Sequence, residues 1–164
     1  MDSIANLKDL LVEKVDRTYR SEKMKLDHLP EFQDRLRSER SIDLIRDEIE
    51  RTQESVKKLE RILEELGATA REQPSKATEG WIADTKRTLY ELEGAAVIDS
   101  AIAGALLQID HYNAAAYGAI AAYAELFEHY EVAALSQECL KASKEAGEQL
   151  RGSAENEIDP LALS

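Results

Sequence analysis

Apolar residues recur every three or four positions over long stretches of the chain, separated by short polar or glycine-marked breaks. That spacing places them on one face of an α-helix. Over 4–37 the stripe is Leu7, Leu11, Val15, Thr18, Glu22, Leu26 and Leu29, which predicts one long helix. Pro30 is expected to kink it, because its ring removes a hydrogen bond and clashes with the preceding turn. After a break at 37–40, Ser41 suits an N-cap, its hydroxyl free to accept from an early helical N–H. A second helix over 42–66 follows, with the stripe Ile45, Ile49, Thr52, Val56, Leu59, Leu63 and Leu66, and Gly67 ends it.

A loop over 67–74 leads to a shorter helix over 76–92 that carries Trp81 and Leu89, and Gly94 marks the next turn. The third long helix, 95–125, has Ala at 12 of the 30 positions from 95 to 124, so close approach by neighbours predicts that it is the most buried. The last helix, 131–157, shows Val132, Leu135, Cys139, Ala142, Ala146 and Leu150 on one side, and Pro160 closes it. Four long helices and one short crossover helix predict an all-α four-helix bundle forming a single domain over 1–164.

Composition agrees. With 7 Gly, 3 Pro and 5% aromatics, the chain lacks the turn and strand residues of a sandwich or barrel. The formal net charge is -12 and unevenly spread: 14 basic and 17 acidic groups over 1–66, but 3 and 11 over 95–164. No basic stripe exists, so neither nucleic acid nor an anionic membrane is an expected partner. The start, Met1-Asp2-Ser3-Ile4, has no signal-peptide pattern. Asp99, Gln108, Asp110, His111 and Asn113 interrupt the apolar third helix, which predicts a bundle helix and not a membrane span. A cytoplasmic location follows as the expectation. The one cysteine, Cys139, reads as a buried structural thiol.

Polar residues on inward stripes are the informative ones, since burying them costs free energy unless they are paired. The first helix offers Glu22, and the second offers Glu48 beside the seam with Thr52 one turn on. On the third, Asp99, Asp110, Asn113 and Tyr117 share a face, while the last helix offers none. Carboxylates on facing helices with histidine at helical spacing suggest a di-metal centre, for which Glu22, Glu48, Asp110 and His111 are the candidate ligands. Yet the chain has no Glu-x-x-His: Glu125 precedes His129 by four, and Asp110 is followed three residues later by Asn113. The alternative is a buried polar network of Glu22, a tyrosine hydroxyl, Asn113 and Thr52, needing no metal. On that reading Glu22 faces the interior without a cation, and Glu22→Gln should cost little. His28 and His129 are expected exposed near helix ends. The pairs Glu13–Arg17, Asp16–Arg20 and Glu54–Lys58 read as solvated helix-face contacts. No phosphate loop, nucleophile elbow or zinc-spaced cysteine pair is present.

Several segments together resemble the YciF-like branch (domain of unknown function 892) of the ferritin-like superfamily, bacterial proteins linked to stress. They are Tyr19-Arg20-Ser21-Glu22-Lys23, Leu29-Pro30, Glu50-Arg51-Thr52, Leu59-Glu60-Arg61-Ile62, Glu79-Gly80-Trp81-Ile82, Asp99, and the run from Asp110 to Gly118. The resemblance implies a ferritin-like fold and a homodimer, an association also suggested by the small apolar residues of the third helix. It implies a metal centre that this chain departs from. Glu48 stands where the family usually has His, Asp84 at a crossover Glu, Asp110-His111-Tyr112-Asn113 at Glu-His-Tyr-Glu, and Ala142-Ser143 at a Glu pair. The expectation is therefore a bundle protein with a degenerate metal site, no cofactor and no catalysis. The alternative is an iron- or manganese-binding protein acting in oxidation or iron handling.

Overall fold

A computed structural model describes residues 4–163. Residues 1–3, where the signal-peptide reading begins, and residue 164 lie outside the described residues. The helices are α1 (Leu7–Gln33), α2 (Glu39–Glu65), α3 (Lys76–Glu91), α4 (Ala95–Leu126) and α5 (Tyr130–Ser153). A single π-type turn, Ala154–Ile158, and a 3-10 segment, Asp159–Leu163, complete the described chain. The chain is all-α, and no strand occurs among the described residues.

Two apolar clusters define the topology. One joins Leu29 and Phe32 near the end of α1, Leu44 and Ile45 early in α2, Ile102 and Leu106 early in α4, and Leu150 late in α5. The other joins Leu11 and Val15 of α1, Leu59 and Ile62 of α2, Tyr117 and Ile120 of α4, and Val132 and Cys139 of α5. Helices α1 and α5 therefore run one way and α2 and α4 the other. Helix α3 carries the chain back along the bundle between α2 and α4, the single long crossover of a ferritin-like bundle. It is fastened by Trp81, whose indole N–H donates to the Ala105 carbonyl at 2.9 Å and whose ring meets Phe32 edge-on at 5.8 Å. Full burial of each such Leu, Ile or Phe contributes about 1.5–3 kcal/mol, so the two clusters carry most of the driving force.

Local chemistry accounts for most helix ends. Gly67, at φ +63°, closes α2: Ala68 N donates to Leu63 O and Gly67 N to Glu64 O, both at 2.9 Å. The same closure ends α4, but there the left-handed position is Glu128, at φ 58°. Three expectations need correction. Helix α1 passes through Pro30 and ends at Gln33, not at 37, with Pro30 O still accepting from Asp34 N. The N-cap of α2 is Ser38, not Ser41, because Ser38 Oγ reaches the N–H of Ser41 three residues on. Helix α5 gives way at Ser153 to the π-type turn, four residues before the predicted end.

Two ion pairs also differ from expectation. Asp16 is 2% exposed and, besides Arg20, accepts from the backbone N–H and guanidinium of Arg71, pinning the α2–α3 loop to α1. Glu54 pairs with Lys57, while Lys58 reaches Glu138 of α5. The pair Glu13–Arg17 is present at 2.7 Å.

Candidate functional site

A polar layer separates the two apolar clusters. On α1 it is Ser21, Glu22 and Lys25, on α2 Glu48, Arg51 and Thr52, on α4 Asp110, Asn113 and the Tyr117 hydroxyl, and on α5 Ser143. At its centre is the Lys25 ammonium. Nζ lies 2.8 Å from Glu22 Oε2, 2.9 Å from Glu48 Oε1 and 3.0 Å from Asp110 Oδ1, and the lysine is 0% exposed. Arg51 grips both Glu48 oxygens, lies 2.9 Å from Asp110 Oδ1 and donates through Nη1 to Ser143 Oγ at 3.3 Å. The Tyr117 hydroxyl donates to Glu22 Oε1 at 2.7 Å, and Thr52 Oγ1 donates to Glu48 Oε1 at 3.1 Å. A side branch runs from Thr78 Oγ1 of α3 to Ser21 Oγ and on to Asn113 Oδ1, each step 2.8 Å. Asp110 Oδ2, Arg51 Nε and Asn113 Nδ2 are buried without a hydrogen-bond partner.

The electrostatics follow from burial set against close opposite charge. Burial works to strip Lys25 of its proton, but the carboxylates of Asp110, Glu22 and Glu48 outweigh it and hold the ammonium well above its ordinary range. Arg51 is raised in the same way by Glu48 and Asp110. Glu48 is pushed up by burial and pulled down further by Lys25 and Arg51, so it stays ionised below the usual carboxylate range. Asp110 goes the other way: burial raises it, Lys25 opposes, and the nearby charge of Glu48 adds to the rise, leaving it at about 6. Burial and then Glu22 push the Tyr117 phenol well above 10.

Three of the four candidate ligands therefore meet: Glu22, Glu48 and Asp110. His111 does not join them. It is exposed on α4, with Nε2 3.3 Å from the Arg151 guanidinium. Residues 110 and 111 are about 100° apart around the helix, so if Asp110 faces in, His111 faces away. Asp99, though 3% exposed, serves a different place: it accepts from the backbone N–H groups of Arg37 at 3.1 Å and Ser38 at 2.9 Å, capping the α1–α2 turn. Asp84 stands out on α3 at 80% exposure. Polar seam residues on α5 are present after all: Ser136 and Ser143 are buried, while Ala142 and Ala146 are only half-buried. His28 and His129 are half-buried, not exposed. Cys139 is 1% exposed, and burial pushes its thiol up to about 11, in keeping with a structural role.

Glu22 does not lack a cation; Lys25 supplies one. The inward stripe of α1 runs Glu22, Lys25, Leu29, leaving Leu26 half-buried. Lys25 and Arg51 are the site residues that the periodicity missed. Their signal was the paired spacing Glu22-x-x-Lys25 and Glu48-x-x-Arg51, a carboxylate followed three residues later by a base on two facing helices.

A metal ion does not fit the residues present. Among the described residues no group of three or more His, Cys, Asp and Glu is disposed to hold one. The oxygens that could ligate are aimed at an ammonium, and a dication among them would stand against two fixed positive charges. As arranged, the cluster can fix the register of α1, α2 and α4 and offers no free nucleophile. A cleft of about 330 Å³ between α2 and α5 reaches Glu48 and Arg51 from the surface, with Asp47, Glu145 and Gln149 among its lining. No described helix is long and apolar enough to cross a membrane.

Comparison with known proteins agrees with this architecture. The protein YciF of Escherichia coli (strain K12) is 23% identical over 161 residues, 98% of this chain and 97% of that protein. The crystal structure of the E. coli stress protein YciF superposes with a TM-score of 0.88 at 22% identity, covering 95% of this chain and 99% of that one. YcfI, a putative structural protein from Rhodopseudomonas palustris, gives 0.86 at 24% identity, covering 91% and 95%. The model of the domain of unknown function DUF892 matches residues 6–162, and this chain, an all-α bundle of ferritin-like topology, belongs to that YciF-like family.

Proposed function

We propose that this protein is a non-catalytic, metal-independent member of its family, a single ferritin-like domain over 1–164 that acts through its surface in a stress-related setting in the cytoplasm. The observation that carries the reading is Lys25. Its ammonium stands where the carboxylates of three helices converge, so the charge that organises the layer is covalently part of the chain. The names of the E. coli stress protein and of the R. palustris putative structural protein lend support. Metal analysis of purified protein tests the reading. No stoichiometric metal is expected, and thermal melts should coincide with and without chelator. Near-stoichiometric iron or manganese, lost in Glu22→Ala, would replace this reading with that of a metalloprotein in oxidation or iron handling.

The surface through which it acts includes a homodimer interface on α4. From Gly104 to Ala124 the only Asp, Glu, Lys or Arg is Asp110, which is buried, in a chain that is 33% charged. Gly104, Gln108, Tyr112, Ala115 and Ala122 are exposed there, next to a groove of about 500 Å³ floored by Gly118, Ala121, Ala122 and Leu140 and rimmed by Glu125, Lys141, Lys144, Glu145 and Glu148. An exposed helix face with no charge of its own, bordered by charges of both signs from α3 and α5, favours association with a second copy. Sedimentation at tens of micromolar should show a species of twice 18.4 kDa, and a monomer alone would remove this part of the proposal.

A further inference from the structure

We infer that two copies of this chain meet about a two-fold axis that crosses α4 at Ala115 and α5 between Lys144 and Glu145, with the lysines and glutamates of one α5 set against those of the other. The inference rests on the homodimer reading and adds the register, the contacts and the charges that select a second copy as the partner.

The outer side of α5 beside the groove carries Lys141, Lys144, Glu145 and Glu148, all exposed. Spacings of three and four place them on one face of the helix. In chain order the charges run plus, plus, minus, minus. Turned end over end, that order is its own complement. With a second α5 antiparallel to the first and centred between 144 and 145, Lys141 stands opposite Glu148 of the second copy, and Lys144 opposite its Glu145. Each pair is made twice. A surface patch that meets itself across a two-fold axis needs this self-complementarity. A shift of one turn sets Glu145 opposite Glu148 in one direction and Lys141 opposite Lys144 in the other, so the charges also select the register. They are free to do so: among the described residues neither Lys144 nor Glu148 has an ion pair within the chain, and Lys141 is a loose 3.8 Å from Glu145.

Helix α4 gives the same centre independently. The stretch from Gly104 to Ala124, which has no Asp, Glu, Lys or Arg at its surface, is centred on Ala114. Three contacts fix its height against α5. Gln137 Nε2 donates to Glu125 Oε1 at 2.8 Å, a Cβ on Gly118 would lie 3.8 Å from Leu140 Cδ2, and His111 Nε2 lies 3.3 Å from the Arg151 guanidinium. They set Ala115 beside Glu145. The centre of the uncharged stretch and the centre of the charge pattern therefore agree within about two residues, about 3 Å along the bundle, and one axis serves both helices. About that axis Tyr112, 40% exposed, comes opposite Ala119 of the second copy, and His111 comes over the groove floor at Gly118 and Ala121. The small residues leave room for both rings. A face about 30 Å long and about 20 Å wide offers about 600 Å² per copy, at the lower end for a specific interface, so its rim charges weigh heavily.

Sedimentation of three variants tests the charge pattern: Lys141→Glu with Lys144→Glu, Glu145→Lys with Glu148→Lys, and all four changes together. The four positions are exposed, and unchanged helical circular dichroism verifies the fold. Each double variant sets like charges face to face, and its dissociation constant should rise about tenfold or more. An equimolar mixture of the two should form a heterodimer. The fourfold variant is again self-complementary and should regain wild-type association. Engineered cysteines read the register separately, the native Cys139 being buried. Ala115→Cys, beside the axis, should give a disulfide-linked dimer under mild oxidation. Gln108→Cys, on the same face but about 20 Å from its own counterpart, should not. A wild-type dimer that the double variants leave intact, or a link at 108 and none at 115, overturns this inference and leaves the homodimer itself standing. A wild-type monomer at tens of micromolar overturns both.

Discussion

Asp110 Oδ1, on α4, receives two cations at once: Lys25 Nζ from α1 at 3.0 Å and Arg51 Nη2 from α2 at 2.9 Å. One oxygen thus ties three helices together at mid-bundle, where Leu, Ile and Val would otherwise be expected. Buried ion pairs of this kind are weak sources of net stability, because desolvation offsets the Coulomb gain, but breaking one is costly. Their effect is to penalise every other register of the helices, since a shift by one turn would leave a charge unpaired.

The first consequence concerns Lys25→Met. The substitution keeps the aliphatic stem and deletes the charge, leaving three buried carboxylates to share Arg51. Urea denaturation should show a loss of about 3–5 kcal/mol. Adding Glu22→Gln to Lys25→Met removes one orphaned anion and should recover part of that loss. A double variant no better than the single one would mean that Glu22 and Lys25 are not coupled.

A second consequence concerns pH. Asp110 has its folded value raised from 3.8 to about 6, so its contribution to stability is fully present below about 3.8 and is lost as pH rises through about 6. Glu48 is held below its ordinary 4.5, so its contribution is present above 4.5 and lost as pH falls through its lower folded value. Between about pH 4.5 and 7 the Asp110 effect acts without the Glu48 effect, and the urea midpoint should decline. Asp110→Asn, which cannot ionise, should flatten that decline. An identical slope in the two proteins would assign it elsewhere.

Asp99 gives a prediction independent of the ion layer. Asp99→Ala leaves the N–H groups of Arg37 and Ser38 without their acceptor at the start of α2. A loss of about 1–3 kcal/mol is expected in equilibrium unfolding, and amide exchange at Arg37 and Ser38 should accelerate. Unchanged protection there would show that water replaces the carboxylate at no cost.

Glu128 offers a change in the opposite direction. It occupies a left-handed conformation at φ 58°, where a side chain is strained and glycine is not. Glu128→Gly should raise stability by about 0.5–1 kcal/mol, read as a higher melting midpoint. A lower midpoint would mean that the entropy of the unfolded glycine outweighs the relieved strain.

Much of this molecule was legible before any coordinates. Helix periodicity is a local property, so the stripes through Leu11 and Val15, Ile45 and Leu59, or Val132 and Cys139 marked their elements directly. Gly67 marked a true end for the same reason. Glu128 gave no such mark, because a glutamate in a left-handed position is held there by the turn and not by its own preference. Glu22, Glu48 and Asp110 also stood out, being acids on apolar faces. What they point at was not legible. Lys25 and Leu26 are neighbours 100° apart on α1, and both continue a three-or-four spacing from Glu22. Lysine ordinarily extends its stem toward water, so the periodic reading takes the leucine.

By itself, then, the sequence determined the helices, the crossover and the three carboxylates of the polar layer, because each depends on residues close together in the chain, whereas it left Asp16, which is 2% exposed, on the solvated face. The tertiary structure alone decided which cation answers those carboxylates. Lys25 turns inward only because Glu48 and Asp110, 23 and 85 positions further along the chain, arrive at the same point on other helices. Without them a buried ammonium would lose more in desolvation than Glu22 could return. The same contest sent His111 to the surface, drew Asp99 to the α1–α2 turn and brought Ser143 of α5 to Arg51, each settled by partners that no local pattern contains.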